Sequence, residues 1–179
     1  LEHIPEAAGE VVIVSADVPL LDAATLEALV GLHRESGAGV TLLSTVLDDP
    51  TGYGRILRRG DGTVEAIVEQ ADATDDQQAI TEVNAGVYVC SREALARILP
   101  RLSTDNAQGE KYLTDVVEAL SAGGSAVHAV RVEDSWLLEG INDKAQLGDV
   151  QARLNRMIVR GWQLAGVTVV DPSSCFLDL

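Results

Sequence analysis

The chain has 179 residues, enough for one domain with a real core, and 46% hydrophobic against 23% charged residues excludes a disordered polypeptide. Against 13 basic residues stand 28 acidic ones, a net charge of −15 that repels nucleic-acid backbones and anionic membranes within a screening length of roughly 10 Å. Neither is an expected partner, but a nucleotide is not excluded, because local amides, one cation or a metal hold phosphate against an unfavourable background.

Leu1 is not an initiator Met, and residues 10–15 (EVVIVS) already read as a buried strand, so the chain is expected to begin inside a longer protein. Asp17 and Pro19 follow, then Leu26, Leu29, Val30 and His33 at helical spacing up to Gly37, and a second apolar run over 40–47. Strand, helix and strand so spaced predict a right-handed crossover, the unit of a parallel sheet with helices on its faces, and hence an α/β scaffold. From Tyr53 the pattern changes to two short runs, 55–59 and 63–69, around Gly60-Asp61-Gly62, a β-hairpin signature. The polar, acidic stretch 71–79 predicts a surface loop or a short helix. A buried strand is expected over 83–90, helices over 92–102 and 112–122 around a loop at 103–106, and a strand over 126–132. A long helix over 143–162 carries Leu147, Val150, Leu154, Met157 and Ile158 at helical spacing. After it, residues 165–174 open a new alternating apolar pattern that has no room to finish, so the chain is expected to end inside a longer protein as well.

Five positions stand out chemically. Asp17 lies just past the carboxyl end of the first strand, where an open α/β sheet presents its ligand crevice, and a carboxylate there suits Mg²⁺. The competing reading makes it a helix cap or an Asx-turn before Pro19. Gly54, in DDPTGYGRI directly before a strand, allows close approach of backbone to a ligand, or simply a tight turn. Glu69 at the end of AIVE and Asn84 inside EVNAGVYV need hydrogen-bond partners if buried, which sugar hydroxyls or a structural network supply equally well. Asn142 precedes the long helix as either its N-cap or a ligand. His3, His33 and His128 are too scattered for a metal cluster or a triad, and Cys90 and Cys175 read as reduced small hydrophobes. With no signal peptide and no long apolar run, the expected location is the cytoplasm.

In order along the chain, VSADVPLLDAATL, DDPTGYGRI, AIVEQADAT, EVNAGVYV, NAQGEKYLTDVV, LEGIND and LAGVTVVDP resemble the bacterial bifunctional N-acetylglucosamine-1-phosphate uridylyltransferases and glucosamine-1-phosphate acetyltransferases, in an actinobacterial-like form. The resemblance covers nearly the whole chain. It implies a Rossmann-like, glycosyltransferase-A-like mixed sheet with helices on both faces, truncated at its N-terminal side. It implies the C-terminal part of a nucleotidyltransferase domain over 1–142, a connecting helix over 143–164 and the start of a left-handed β-helix over 165–179. The implied reaction joins UTP and N-acetylglucosamine 1-phosphate into UDP-N-acetylglucosamine and pyrophosphate, for cell-wall precursor synthesis. Asp17 and Asn142 would hold a catalytic Mg²⁺; Gly54, Glu69, Asn84, Tyr112 and Thr114 would bind the sugar part, with Glu110 supporting them. Ser15-Ala16 stand where many members have Tyr-Gly, which removes any contact made by that tyrosine. The family's N-terminal glycine-rich phosphate loop has no counterpart in the sequence, so the chain alone is expected to be inactive, and the homotrimer is expected of the full-length enzyme through its β-helix. A nucleotidyltransferase for another sugar 1-phosphate, thymidylyl- or uridylyl-, and a non-catalytic sugar-nucleotide binding module are the rival readings.

Overall fold

A computed structural model describes the whole chain except Glu2, Asp178 and Leu179, so the last two residues of the expected β-helix start lie outside the described residues. Six strands form one sheet: β1 (Glu10–Val14), β2 (Val40–Val46), β3 (Arg55–Arg58), β4 (Val64–Val68), β5 (Glu82–Ser91) and β6 (Val127–Arg131). The helices are α1 (Ala23–Ser36), α2 (Asp75–Gln78), α3 (Arg92–Ile98), α4 (Asp115–Ala122) and α5 (Lys144–Leu164).

The mixed, helix-covered sheet agrees with the expected architecture, but the first crossover differs from its expected form. β1 and β2 run parallel without touching, because β5 lies between them and pairs antiparallel with both. Only β2 with β6 is a directly parallel pair. The ten residues of β5 make this possible: one edge follows β2, while the other is shared end to end by β1 and β3. Val14 pairs with Val87 and Arg55 with Val83, so β1 stops where β3 begins. At that junction the β5 register slips against β2 between Leu42 and Ser44, and Gly86 adopts a φ of +70° that other residues rarely tolerate.

Alternation along the strands divides the core between the two faces. Val40 and Leu42 of β2, with Tyr88 and Cys90 of β5, pack against Ala94, Leu95 and Ile98 of α3 and Val116, Val117 and Leu120 of α4. On the other face Leu43, Val87 and Val89 pack against Leu29 of α1 and against Leu137 and Leu138 in the 3₁₀ turn Ser135–Leu138. The apolar run of β2 is buried on both faces because it is a central strand.

Local chemistry sets the element ends. Asp22 caps α1 by accepting from the Thr25 amide at 2.7 Å, and Gly37 closes the helix in the left-handed conformation. Thr74 and Gln77 form a capping box that makes α2, within the stretch expected as a loop or short helix, a single helical turn. The helix expected over 112–122 starts only at Asp115, so Tyr112 and Thr114 sit in the preceding turn. The helix expected over 92–102 narrows to a 3₁₀ turn from Leu99, at Pro100. Asp143 caps α5, accepting from the amides of Ala145 and Gln146 at 2.8 Å each, which displaces the N-cap role from Asn142.

Candidate active site

The break between β1 and β3 along one edge of β5 is a gap in the sheet, and a cavity of about 330 Å³ fills it. Ser15 and Asp17 line it from the end of β1, residues 51–54 from the approach to β3, and Asn84 and Gly86 from β5. Gly140 and Asn142 come from the segment between the 3₁₀ turn and α5. Four residues singled out from sequence, Asp17, Gly54, Asn84 and Asn142, therefore meet in one cavity although they lie far apart in the chain.

Asp17 is exposed and caps no helix, since Asp22 takes that role. Its carbonyl accepts from the Ile141 amide at 2.9 Å, which ties the end of β1 to the segment carrying Asn142. A Cβ on Gly140 would lie 2.9 Å from Asp17 Oδ2, so a glycine there makes room for the carboxylate. Asn142, relieved of capping by Asp143, also lines the cavity. One carboxylate and one side-chain amide make a hard oxygen donor set for a cation that takes its remaining ligands from phosphate and water. Among the described residues no group of three or more His, Cys, Asp or Glu side chains is placed to hold a metal ion.

Asn84 donates to the Tyr88 hydroxyl at 2.7 Å and accepts from the Gly86 amide at 3.1 Å. The structural network weighed from sequence thus exists. It uses one N–H and one lone pair, leaving the other N–H and lone pair of an amide that borders the cavity. Burial drives the Tyr88 phenol far above its usual pKa, so it stays a neutral hydrogen-bonding partner.

Gly86 was not singled out from sequence, although a glycine inside a strand-like run is the signal for a bulge or close backbone approach. A side chain there would collide with Ser15 Oγ, and the Gly86 carbonyl accepts from both the amide and the hydroxyl of Ser15, at 3.1 and 3.2 Å. Gly54 is buried for a similar reason: a Cβ would meet Ile67 Cγ2 at 2.9 Å and Glu69 Oε2 at 3.3 Å. Its carbonyl accepts from the Asn84 amide at 2.8 Å.

Glu69 opens onto a second, larger cavity of about 520 Å³, together with Asp72, Asn106, Tyr112 and Asp115. Its Oε1 accepts from the hydroxyl of buried Thr114 at 2.9 Å, while Oε2 lies on the side of Gly54, which lines the smaller cavity. The Tyr112 hydroxyl is shielded from solvent with no hydrogen-bond partner among the described residues; desolvation first, then the negative charge of Asp72, raises its pKa. Burial, with Glu118 and Asp72 nearby, likewise raises the Asp115 pKa. Glu110 lines neither cavity; its backbone N–H and C=O are both bonded to the Asn106 side chain, which shapes the loop before α4.

A strand-end carboxylate, a glycine loop and a carboxylate-amide pair meet at a break in a mixed sheet, and comparison with known proteins assigns the class. Residues 1–143 match the family described as nucleotidyl transferase (NTP_transferase), and the chain belongs to that family. The chain is 55% identical over 171 residues to a protein named "Bifunctional protein GlmU" from Clavibacter sepedonicus. It is also 55% identical over 172 residues to a protein of the same name from Mycobacterium tuberculosis (strain ATCC 25177 / H37Ra). Each alignment covers 96% of this chain but 35% of the relative, so the chain spans about a third of the length of the curated relatives it matches. The fold is similar to that of a CMP:2-keto-3-deoxy-manno-octonic acid synthetase complexed with CTP, with a TM-score of 0.58 at 14% identity over 84% of this chain and 64% of that one. It is also similar to a uridine diphosphate N-acetylglucosamine pyrophosphorylase from Trypanosoma brucei, with a TM-score of 0.60 at 16% identity over 90% of this chain and 38% of that one. Among the described residues no helix is long and apolar enough to cross a membrane.

Proposed function

We propose that the chain supplies the sugar side and the metal side of a uridylyltransferase that makes UDP-N-acetylglucosamine and pyrophosphate from UTP and N-acetylglucosamine 1-phosphate. The observation that carries the reading is the single cavity shared by Asp17, Asn142, Gly54 and Asn84, with Glu69 at its border. The high identity to proteins named GlmU supports the choice of substrates.

In this reading the phosphate oxygen of the sugar phosphate attacks the α-phosphorus of UTP and pyrophosphate leaves in line, so no protein nucleophile is required. Asp17 and Asn142 would hold Mg²⁺, whose chemistry when bound is to offset phosphate charge and align the reacting oxygens. The Glu69 carboxylate, fixed by Thr114, has lone pairs left to accept from sugar hydroxyls. Asn84 offers its free N–H and lone pair to the same sugar, and Gly54 lets the ligand lie directly against the backbone. Tyr112 and Thr114 complete the far wall through the larger cavity and the Glu69 contact.

The cavity lining holds one carboxylate and no cationic side chain, so it lacks a grip of its own on a triphosphate. The 179 residues are therefore expected to bind the sugar-containing product and to turn UTP over very slowly, because positioning carries most of such a reaction. Pyrophosphate release with UTP, N-acetylglucosamine 1-phosphate and Mg²⁺ tests this on the 179-residue chain and on a whole protein in which the chain replaces the matching segment of the Mycobacterium tuberculosis relative. Fast turnover by the chain alone overturns the division of labour. A whole protein that prefers glucose 1-phosphate overturns the substrate, and one that binds UDP-N-acetylglucosamine without any turnover overturns the enzyme.

A further inference from the structure

Arg55 is only 1% exposed, and none of the ion pairs among the described residues involves it. A buried cation without a carboxylate is costly unless its donors are used, and here the two terminal nitrogens are used on two groups close in space, while Nε has no partner among the described residues. One terminal nitrogen donates to the Tyr53 carbonyl, and the other donates to Gln70 Oε1 at 2.6 Å. The same Gln70 oxygen accepts from the Gly52 amide at 3.3 Å. Arg55 itself is rooted in the sheet, paired with Val68 of β4 and Val83 of β5. The guanidinium thus spans from the loop 51–54 to the residue next to Glu69.

We infer that Arg55, with Gln70, is the positioning residue that fixes the Gly54 backbone relative to the Glu69 carboxylate, so that both present their polar groups to the sugar together. The inference rests on the sugar-side reading above. A Cβ on Gly54 would lie 2.9 Å from Ile67 Cγ2 and 3.3 Å from Glu69 Oε2, so the loop packs closely on the β4 side, yet it is exposed at Thr51 and Gly52. The Asn84 amide ties Gly54 to β5, and the planar fork adds the tie to the residue next to Glu69, because its two terminal nitrogens reach two acceptors in fixed directions at once. A lysine in its place keeps the charge but is a point donor on a flexible stem. Arg55 touches no reacting atom in this account and acts only through the loop and Gln70.

The test is titration of UDP-N-acetylglucosamine into the 179-residue chain with Mg²⁺ by calorimetry, for wild type, Arg55→Lys, Gln70→Ala and Gln70→Glu. Thermal melts and hydrogen exchange at the Gly52 amide accompany each titration. Arg55→Lys and Gln70→Ala are expected to weaken binding roughly tenfold and to speed Gly52 exchange. Gln70→Glu, which keeps an acceptor oxygen for the fork and for the Gly52 amide, is expected to stay within about threefold of wild type on both readouts. A folded Arg55→Lys or Gln70→Ala chain with wild-type affinity overturns the inference, as does a Gln70→Glu chain that falls as far as Gln70→Ala. If Arg55→Lys does not fold, the Gln70 pair decides. A wild-type chain that binds no UDP-N-acetylglucosamine overturns the sugar-side reading and this inference with it, and that is seen before any variant is compared.

Discussion

The cavity lined by Gly54 and the larger one lined by Glu69 are built by different means. The smaller one, with Asp17 and Asn142, sits in a gap in the sheet and is walled mainly by strand ends and small residues: Ser15, Gly52, Gly54, Gly86 and Gly140. Backbone hydrogen bonds hold it, among them Ser15 to Gly86, Asn84 to Gly54 and Ile141 to Asp17. The larger one is walled by long polar side chains of the 69–72 segment, the 101–106 loop and α4, including Glu69, Asp72, Arg101, Tyr112, Asp115 and Glu118. One bond, from the Ala107 amide to Asp72 at 2.8 Å, links the loop to the opposite side. On the proposed function, the cavity fixed by backbone would hold the metal, where position decides rate, and the sugar would lie against its Gly54 and Asn84 side, with the larger cavity's side chains adding recognition of hydroxyls.

The sharpest way to break this contrast is Asp17→Ala. In the whole protein that joins the chain to its relative's remaining segments, it is expected to lower Mg²⁺-dependent pyrophosphate release by roughly a thousandfold, because metal-borne charge stabilisation is worth several kcal/mol. Being exposed, the change should leave the melting temperature of the 179-residue chain in place. Activity equal to wild type removes Asp17 from the centre. Next comes Glu69→Gln, which keeps the shape but not the charge. It is expected to weaken UDP-N-acetylglucosamine binding to the chain by roughly tenfold, the difference between charged and neutral hydrogen bonding. An unchanged Kd in calorimetry would move the sugar away from the shared border.

Gly140→Ala probes the backbone-fixed side more gently. The added methyl would lie 2.9 Å from Asp17 Oδ2 and must push the carboxylate aside. The expected outcome is a severalfold rise in the Mg²⁺ concentration giving half-maximal activity, with kcat at saturating metal less affected. A metal titration with no shift would show that the carboxylate has room to spare. The smallest effect is at Asp115 in the larger cavity, whose pKa is raised mainly by desolvation and then by Glu118 and Asp72. A carboxyl with a raised folded-state pKa favours folding while protonated, and that contribution is lost as pH rises through the folded value. Asp115→Asn is therefore expected to raise the melting temperature by about 1–2 °C at pH 7 and by nothing measurable near pH 3, with partial exposure keeping the effect small. A larger gain at acid pH would reverse the assigned sign.

Individual residues show how much was legible beforehand. Asp17, Gly54, Glu69 and Asn84 were all picked out by type and place at the ends or interior of apolar runs, and the structure puts them around one seam. Asn142 carried two readings, and the choice turned on Asp143: the better-placed neighbour caps α5 and leaves the amide to the cavity. Gly86 and Arg55 were overlooked. A glycine in a strand is ambiguous until the register slip at Leu42 and Ser44 shows what it permits. An arginine in RILRR gives no sign that its guanidinium is buried, because burial depends on Tyr53 and Gln70 folding over it.

By itself the sequence determined the elements, the α/β class and the chemical types at the site, since period, caps and turn residues act over a few positions. The parallel neighbour expected for β1 could not be checked that way. Whether two strands touch or admit a third depends on long-range pairing, and here the long β5 inserts between β1 and β2 and leaves the gap that becomes the cavity. The tertiary structure alone decided that a break in strand pairing, bordered by a bulge at Gly86 and braced by Arg55, is where these residues meet.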